Sequence, residues 1–546
     1  MDTAGPTSRL ERQHARARRS ASTSLERDYV PPSTDQILAI ARARRRMRPT
    51  PEHDQAPGLA HPLPFTLTDL LPPERVLFLR VSAGTTAFTR RKAVRAWQHK
   101  LRATREHAHT DTGRATPTRV RDQRATAMTA RERDAAYEAL PAPAAALYRQ
   151  LGACPISWFD IDMLAVLIDL DAPAAERLTE RLLERGLLER DADGFALGPH
   201  GHLHAWVKAE ASESEQRDLD AAGLDRLLAF LRDTAGTAAR LIAPGRAPLW
   251  ERDEPHAPGA APFLLLDEQA ALEWVDTRTG VYLDVIRFAF ADQRYALVCD
   301  LVYWLWPLWL RRRRTGPLTE ALTLALAAAQ LAYSERATAG MLIALADAAR
   351  TLNAAAAYRY ARHAAAHCEQ TGDSAGLAAA LSSLGSTLLD TGQIDQADSC
   401  FRDAHALHAT LGQPRGVALA RRGRGLIALE RGDAETAVEL LDDAHRALAQ
   451  VGDRHEAALT LALHARALAA DGDVRHALLE LDLAAGVLRE MRATHGEAAV
   501  LSTRADLLAE AGFETQARQA RAKALSLRSA AVPCADAQDA ESGDAC

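Results

Sequence analysis

Between about Leu331 and Arg528, small, apolar and polar residues recur in a rhythm of twenty. Glycine falls at 372, 392, 412, 432, 452, 472 and 512, and Arg492 is the one step out of register. Each step has room for a single helix and a short turn at about 1.5 Å rise per residue, and a glycine at its end suits the left-handed position that closes a helix. Stacked in registers of forty, Ala357, Ala397, Ala437, Ala477 and Ala517 form one column, and Ala364, Ala404, Ala444, Ala484 and Ala524 a second. Ala378, Ala418, Ala458 and Ala498 form a third, with Thr338 upstream; Gly385, Gly425, Ala465 and Ala505 sit near the middle of each first helix. Small residues at fixed points let paired helices cross closely, while Leu384, Leu388, Leu389 and Leu407 fill between them. The pattern predicts roughly five helix hairpins stacked as a curved solenoid.

Upstream, Ala139–Trp206 predicts a compact block. One helix is expected over about Pro141–Leu151, a second over about Asp160–Ile168, and a third from near Asp171, with an early Pro173, to Gly186. "LLER" and "FALG", joined by the turn signal "DADG", predict two short strands. Three helices and a β-wing make a winged helix. Its third helix interleaves Glu176, Glu180 and Glu184 with Arg177, Arg181 and Arg185, so intrahelical pairs are expected. Little positive charge is left over for phosphates, which favours a packing or protein-binding role over DNA reading.

The repeats resemble tetratricopeptide repeats in a longer, forty-residue form. In order, "ALPAPAAALYRQLG", "WFDIDMLAVL", "RLTERLLERGLLER", "FALGPHGHLHAW", "ALEWVDTRTG", "LVYWLWPLWLRRR" and the repeats resemble the C-terminal half of actinobacterial STAND-class regulators. That family carries an NB-ARC ATPase, a winged helix and tetratricopeptide repeats. The resemblance covers roughly Ala135 to Leu527 and implies a regulatory role. It implies no working ATPase. A P-loop needs GxxxxGK[ST], and none of the four lysines (Lys92, Lys100, Lys208, Lys523) follows a glycine. "RVLFLRVSAGTTAFTRRKAVRAW" (Arg75–Trp97), with its single Gly84, reads equally as an eroded P-loop or a chance strand and helix. In the family, a His-Asp pair at the end of the winged helix approaches bound nucleotide; here His200 stands in the histidine's place and Gly201 in the aspartate's.

Charge sharpens this picture. Although the net charge is −6, residues 1–135 hold 26 Lys or Arg against 14 Asp or Glu, a net of +12 on a body of −18. Such an arm suggests an interaction tail, unless it is simply solvated or folds back onto the body. It is expected to be mostly disordered, with helices at Thr34–Met47 and Arg90–Glu106. The acidic tail "CADAQDAESGDAC" is expected to be loose. Six scattered cysteines without a CxxC pair fit a reducing, cytoplasmic setting, and no secretory signal or CaaX box is read. "ALVCDLVYWLWPLWL" (Ala296–Leu310) contains Asp300 and is short for a membrane span, so a buried helix is expected.

Candidate chemistry is sparse. His200, His202 and His204 form HxHxH, which on a strand would face one side and invite a metal, but no acidic or cysteine ligand is near in sequence, so a structural or surface role is expected. Arg311–Arg314 is read as a solvated helix end rather than a nucleic-acid patch. With no HExxH, and with acids and histidines too scattered to give a catalytic spacing, no catalytic, cofactor-binding or metal residue is assigned, and no cofactor is expected. The expected architecture is an all-α chain: a basic arm (1–135), a winged-helix-like domain (136–207), a helical connecting region (208–332), tetratricopeptide-like repeats (333–530) and a tail (531–546). The expected function is a non-enzymatic regulatory scaffold in a bacterial pathway, holding a protein or peptide through its repeats, with no membrane partner. The alternatives are a DNA-binding transcriptional regulator using the arm and winged helix, and a degenerate STAND nucleotide switch.

Overall fold

The computed structural model describes residues 128–530, apart from 192, 193, 213, 246–248, 250–264, 266, 313 and 351. The arm helices at Thr34–Met47 and Arg90–Glu106, the stretch Arg75–Trp97 and the acidic tail lie outside the described residues. The described chain opens with α1 (Ala130–Glu138), α2 (Ala142–Ala153), β1 (Trp158–Phe159), α3 (Ile161–Ile168), α4 (Ala172–Glu184), β2 (Glu189–Asp191), β3 (Gly194–Ala196) and α5 (Pro199–Glu210). Helix α1 begins inside the stretch read as a disordered arm, because Thr129 and Glu132 form a reciprocal capping box. Asp160 and Asp171 cap α3 and α4 by accepting from Met163 and Ala174 main-chain N–H groups, each at 2.8 Å. The strands form an antiparallel sheet in the order β1-β3-β2. The two-residue β1 was not foreseen, since Trp158–Phe159 has no alternation to mark it.

Four helices follow: α6 (Ser214–Ile242), α7 (Glu268–Thr277), α8 (Thr279–Ala291) and α9 (Tyr295–Arg311). Tyr282 is fully buried and donates to the Leu231 carbonyl at 3.0 Å, fixing α8 on α6. The apolar run at Ala296–Leu310 lies within α9, with Trp309 fully buried, and no described helix is long and apolar enough to cross a membrane. These helices hold the first block firmly. Arg226 donates to the Val166 and Leu167 carbonyls at the end of α3, at 3.2 and 2.8 Å. Arg278 pairs with Asp160, the cap of the same helix, and stacks over Trp274 at 4.5 Å.

From α10 (Thr315–Leu331) the chain runs as antiparallel helices: α11 (Glu335–Ala349), α12 (Ala354–Thr371), α13 (Ser374–Asp390), α14 (Ile394–Thr410), α15 (Pro414–Arg431), α16 (Ala434–Gln450), α17 (Arg454–Ala470), α18 (Val474–Glu490), α19 (Thr494–Glu510) and α20 (Glu514–Ala530). The last ten pair as five hairpins and make a tetratricopeptide-like solenoid. First helices (α11, α13, α15, α17, α19) also touch one another, which places them on the inner side of the curve. The alanine columns form the seams: Ala357, Ala397, Ala437, Ala477 and Ala517 are all fully buried. At mid-helix the fit is close, and a Cβ on Gly425 would lie 2.7 Å from Leu441.

Every ladder glycine has positive φ, from 64° at Gly412 to 99° at Gly472. The N–H of the following residue reaches back five residues, as from Asp433 to the Ala428 carbonyl at 2.9 Å. Asp373, Asp433, Asp453 and Asp473 follow ladder glycines and cap the next helices through Oδ1. One Gly-Asp pair therefore ends one helix and starts another.

Candidate functional site

The first helices α13, α15, α17 and α19 each have one side turned away from their own hairpin partners and toward the neighbouring first helices. On α15, Gly425 faces α16, Gly423 faces Phe401 of α14, and Arg415 and Arg422 reach α17. With the helical period of 3.6, that leaves half-buried Leu426 toward the inner face, while Leu419 packs against Leu448 of α16 and Ala457 of α17. The same columns hold Ala379 and Ser386 on α13, Leu459 and Arg466 on α17, and Ala499 and Asp506 on α19; of these, Leu459 packs against the core of the last two hairpins and Asp506 pairs with Arg521 of α20 at 3.0 Å. At these positions α13 carries small uncharged residues, α15 leucines, and α17 and α19 one charged residue each.

Ion pairs between neighbouring first helices set its curvature. Arg415 donates to Asp453 at 2.8 Å, and the Asp453 side chain is fully buried. Arg422 pairs with Glu456, whose side chain is about a quarter exposed at 23%. Burial would raise the Glu456 carboxyl, but Arg422, His455 and Arg415 together hold it well below the usual carboxylate range. Ser383 donates to Asp347 at 2.7 Å between α11 and α13. Sequence reasoning missed these pairs. Their spacing, thirty-four to thirty-eight residues, is close to the forty-residue register and was the available signal.

The residues singled out from sequence lie elsewhere. His202 and His204 sit on helix α5, so HxHxH does not share one side as strand residues would. Pro199 at the first turn of α5 starts a helix there. His202 pairs with the Cys154 carbonyl and His204 with Tyr148 and Asp134, each at 3.1 Å. His200 is the second residue of α5, and the Gly201 carbonyl accepts from Tyr148 at 3.1 Å. Among the described residues no cluster of His, Cys, Asp or Glu could hold a metal ion. The solvated helix end expected at Arg311–Arg314 is corrected: Arg311 pairs with Glu268 at 3.1 Å, and Arg312 and Arg314 pair with Asp276 at 3.0 and 3.2 Å. These arginines fasten the end of α9 to α7, because two acids about two turns apart on α7, Glu268 and Asp276, face them. The exposed side of α4 carries its glutamates and arginines in balance, with Arg181–Glu184 at 3.0 Å and Arg190 of β2 on Glu180.

No family model matches the chain, and no curated protein does. Solved structures do. A Rap protein complexed with competence and sporulation factor is 13% identical, covers 66% of this chain and 93% of its own, with a TM-score of 0.37. A signal transduction ATPase with numerous domains and a tetratricopeptide repeat sensor, from Pyrococcus horikoshii, is 13% identical over 71% of this chain and 64% of its own, with a TM-score of 0.34. Yeast Tom70 is 15% identical over 72% of this chain and 84% of its own, with a TM-score of 0.33. Scores this low carry no weight for function, and the solenoid stands on its own helix order and packing.

Proposed function

We infer that this chain is a non-enzymatic regulatory scaffold that holds a protein or peptide in the groove of its repeats. The observation that supports this reading is the inner face of α13 to α19, with half-buried Leu426 between first helices tied through Arg415 and Arg422. Residues 136–207 act as a winged helix that packs rather than reads DNA. The balanced charge of α4 and the Arg226 and Arg278 ties to the connecting region support this. The division into an arm (1–135), that winged helix, a connecting region (208–332), repeats (333–530) and a tail (531–546) follows from the same reading. The pathway is that of a bacterial STAND-like regulator without a working ATPase, in the cytoplasm.

The test is affinity capture with the full chain as bait, beside Leu426→Glu on the inner face and Glu439→Lys on the outer face. The expected result is a partner kept by the parent and the outer-face variant and lost by the inner-face variant. Equal recovery by all three overturns the reading. Salt-steep DNA binding by the full chain would favour the transcriptional alternative, which rests on the +12 of the arm.

A further inference from the structure

The glycine ladder breaks once, at Arg492, and the break coincides with a long-range contact. Arg492 keeps the left-handed conformation of the ladder, with φ 49°, although a Cβ there is strained. Its turn closes as the glycine turns do, with the Ala493 N–H on the Leu488 carbonyl at 2.8 Å. The arginine is thus not selected by the turn, which glycine would fill better. Its side chain reaches Glu273 on α7 at 2.9 Å, across 219 residues of sequence. Helix α7 is itself anchored: Ala271, Leu272, Trp274 and Val275 are buried, and Asp267 caps its start at 2.8 Å. Earlier on the same helix, Glu268 lies in the field of Asp453 and His455, at the start of α17, while Arg311 holds its carboxylate at 3.1 Å. The turns that open the last two hairpins therefore lie near the same short helix.

We propose that Arg492 is a latch that fastens the α18–α19 turn to α7 and so holds the far half of the solenoid against the connecting region. A latch there fixes the curvature of the groove, and its release lets the last two hairpins swing away from α7. Only the consequence for binding rests on the scaffold reading; the latch is read without any partner.

The experiment is hydrogen exchange with small-angle scattering on the full chain, comparing Arg492→Gly, Glu273→Arg and the exchanged pair Arg492→Glu with Glu273→Arg. Arg492→Gly restores the glycine that the turn prefers, so loss of folding is not a confounder. The expected result is about two- to five-fold faster exchange in α7 and in the 490–494 turn, the range that exposed ion pairs give. A larger maximum dimension accompanies it, and both return toward the parent in the exchanged pair. Unchanged α7 exchange in Arg492→Gly overturns the latch. So does faster exchange spread evenly through the repeats, or an exchanged pair that behaves like Glu273→Arg alone.

Discussion

At the scale of single residues, two kinds of small residue do different work in the repeats. Gly432 has φ 78° and open space where a Cβ would stand, so strain there comes from the backbone alone. Gly432→Val is expected to cost about 1–2 kcal/mol, read from thermal and denaturant melts. Gly423 is the opposite case, because its Cβ would lie 2.5 Å from the Phe401 ring. Gly423→Ala and Ala437→Phe are each expected to cost about 1–3 kcal/mol through overpacking, with Ala437 fully buried at its seam. A melt unchanged in all three would refute the forty-residue register. Arg431 is paired with Asp395 at 2.8 Å and Asp398 at 3.2 Å. Half exposed as it is, Arg431→Lys is still expected to leave the melt close to the parent.

Helices and their junctions carry the next set of effects. His408 lies buried on α14 and His363 half-buried on α12. Desolvation holds both imidazoles below the usual histidine pKa, for His363 with help from His367 and for His408 against a hydrogen bond to Gln413. A depressed folded pKa means the unfolded chain binds the proton more readily. Their contribution is therefore complete above the ordinary histidine range and is lost as pH falls through the lowered folded values. Melts at pH 7.5 and pH 5.5 are expected to show lower stability at the acidic value, and His408→Met with His363→Met to flatten that difference. An equal slope in parent and variant would exclude these two side chains as its source. At the other end of the molecule, Arg278→Ala leaves Asp160 buried beside α3 without its cation. It is expected to cost about 3–5 kcal/mol, measured by denaturant unfolding of the full chain.

For the whole molecule, the organisation is a set of short-range contacts repeated along one axis, with a few ties that span it. Solenoid hairpins contact mainly their neighbours, so Gly432→Val should destabilise the repeats and spare the first block. Limited proteolysis of the full chain checks this: new cuts are expected within 333–530 and none within 136–207. The Arg226, Arg278 and Arg492 ties cross between blocks and are the places where damage would travel.

Much of this was legible in the chain because repetition turns tertiary contacts into local spacing. A seam between hairpins recurs every forty residues, so Ala397 and Ala437 announce a contact that neither residue could reveal alone. The turns were equally plain, since glycine at a left-handed position is a backbone requirement, although the Gly-Asp pairing that also caps the next helix went unread. Other features had no period to expose them. HxHxH was a strand pattern on paper and became part of a helix, because Pro199 starts α5 and tertiary packing gives each histidine a different neighbour. The arginines after α9 looked solvated until α7 folded across to meet them. The sequence by itself determined the helices, their hairpin pairing and the seams, since each depends on residues at fixed separation. Tertiary structure alone decided which charges pair across the molecule, because partners such as Arg492 and Glu273 stand 219 residues apart and only the curve of the solenoid brings them together.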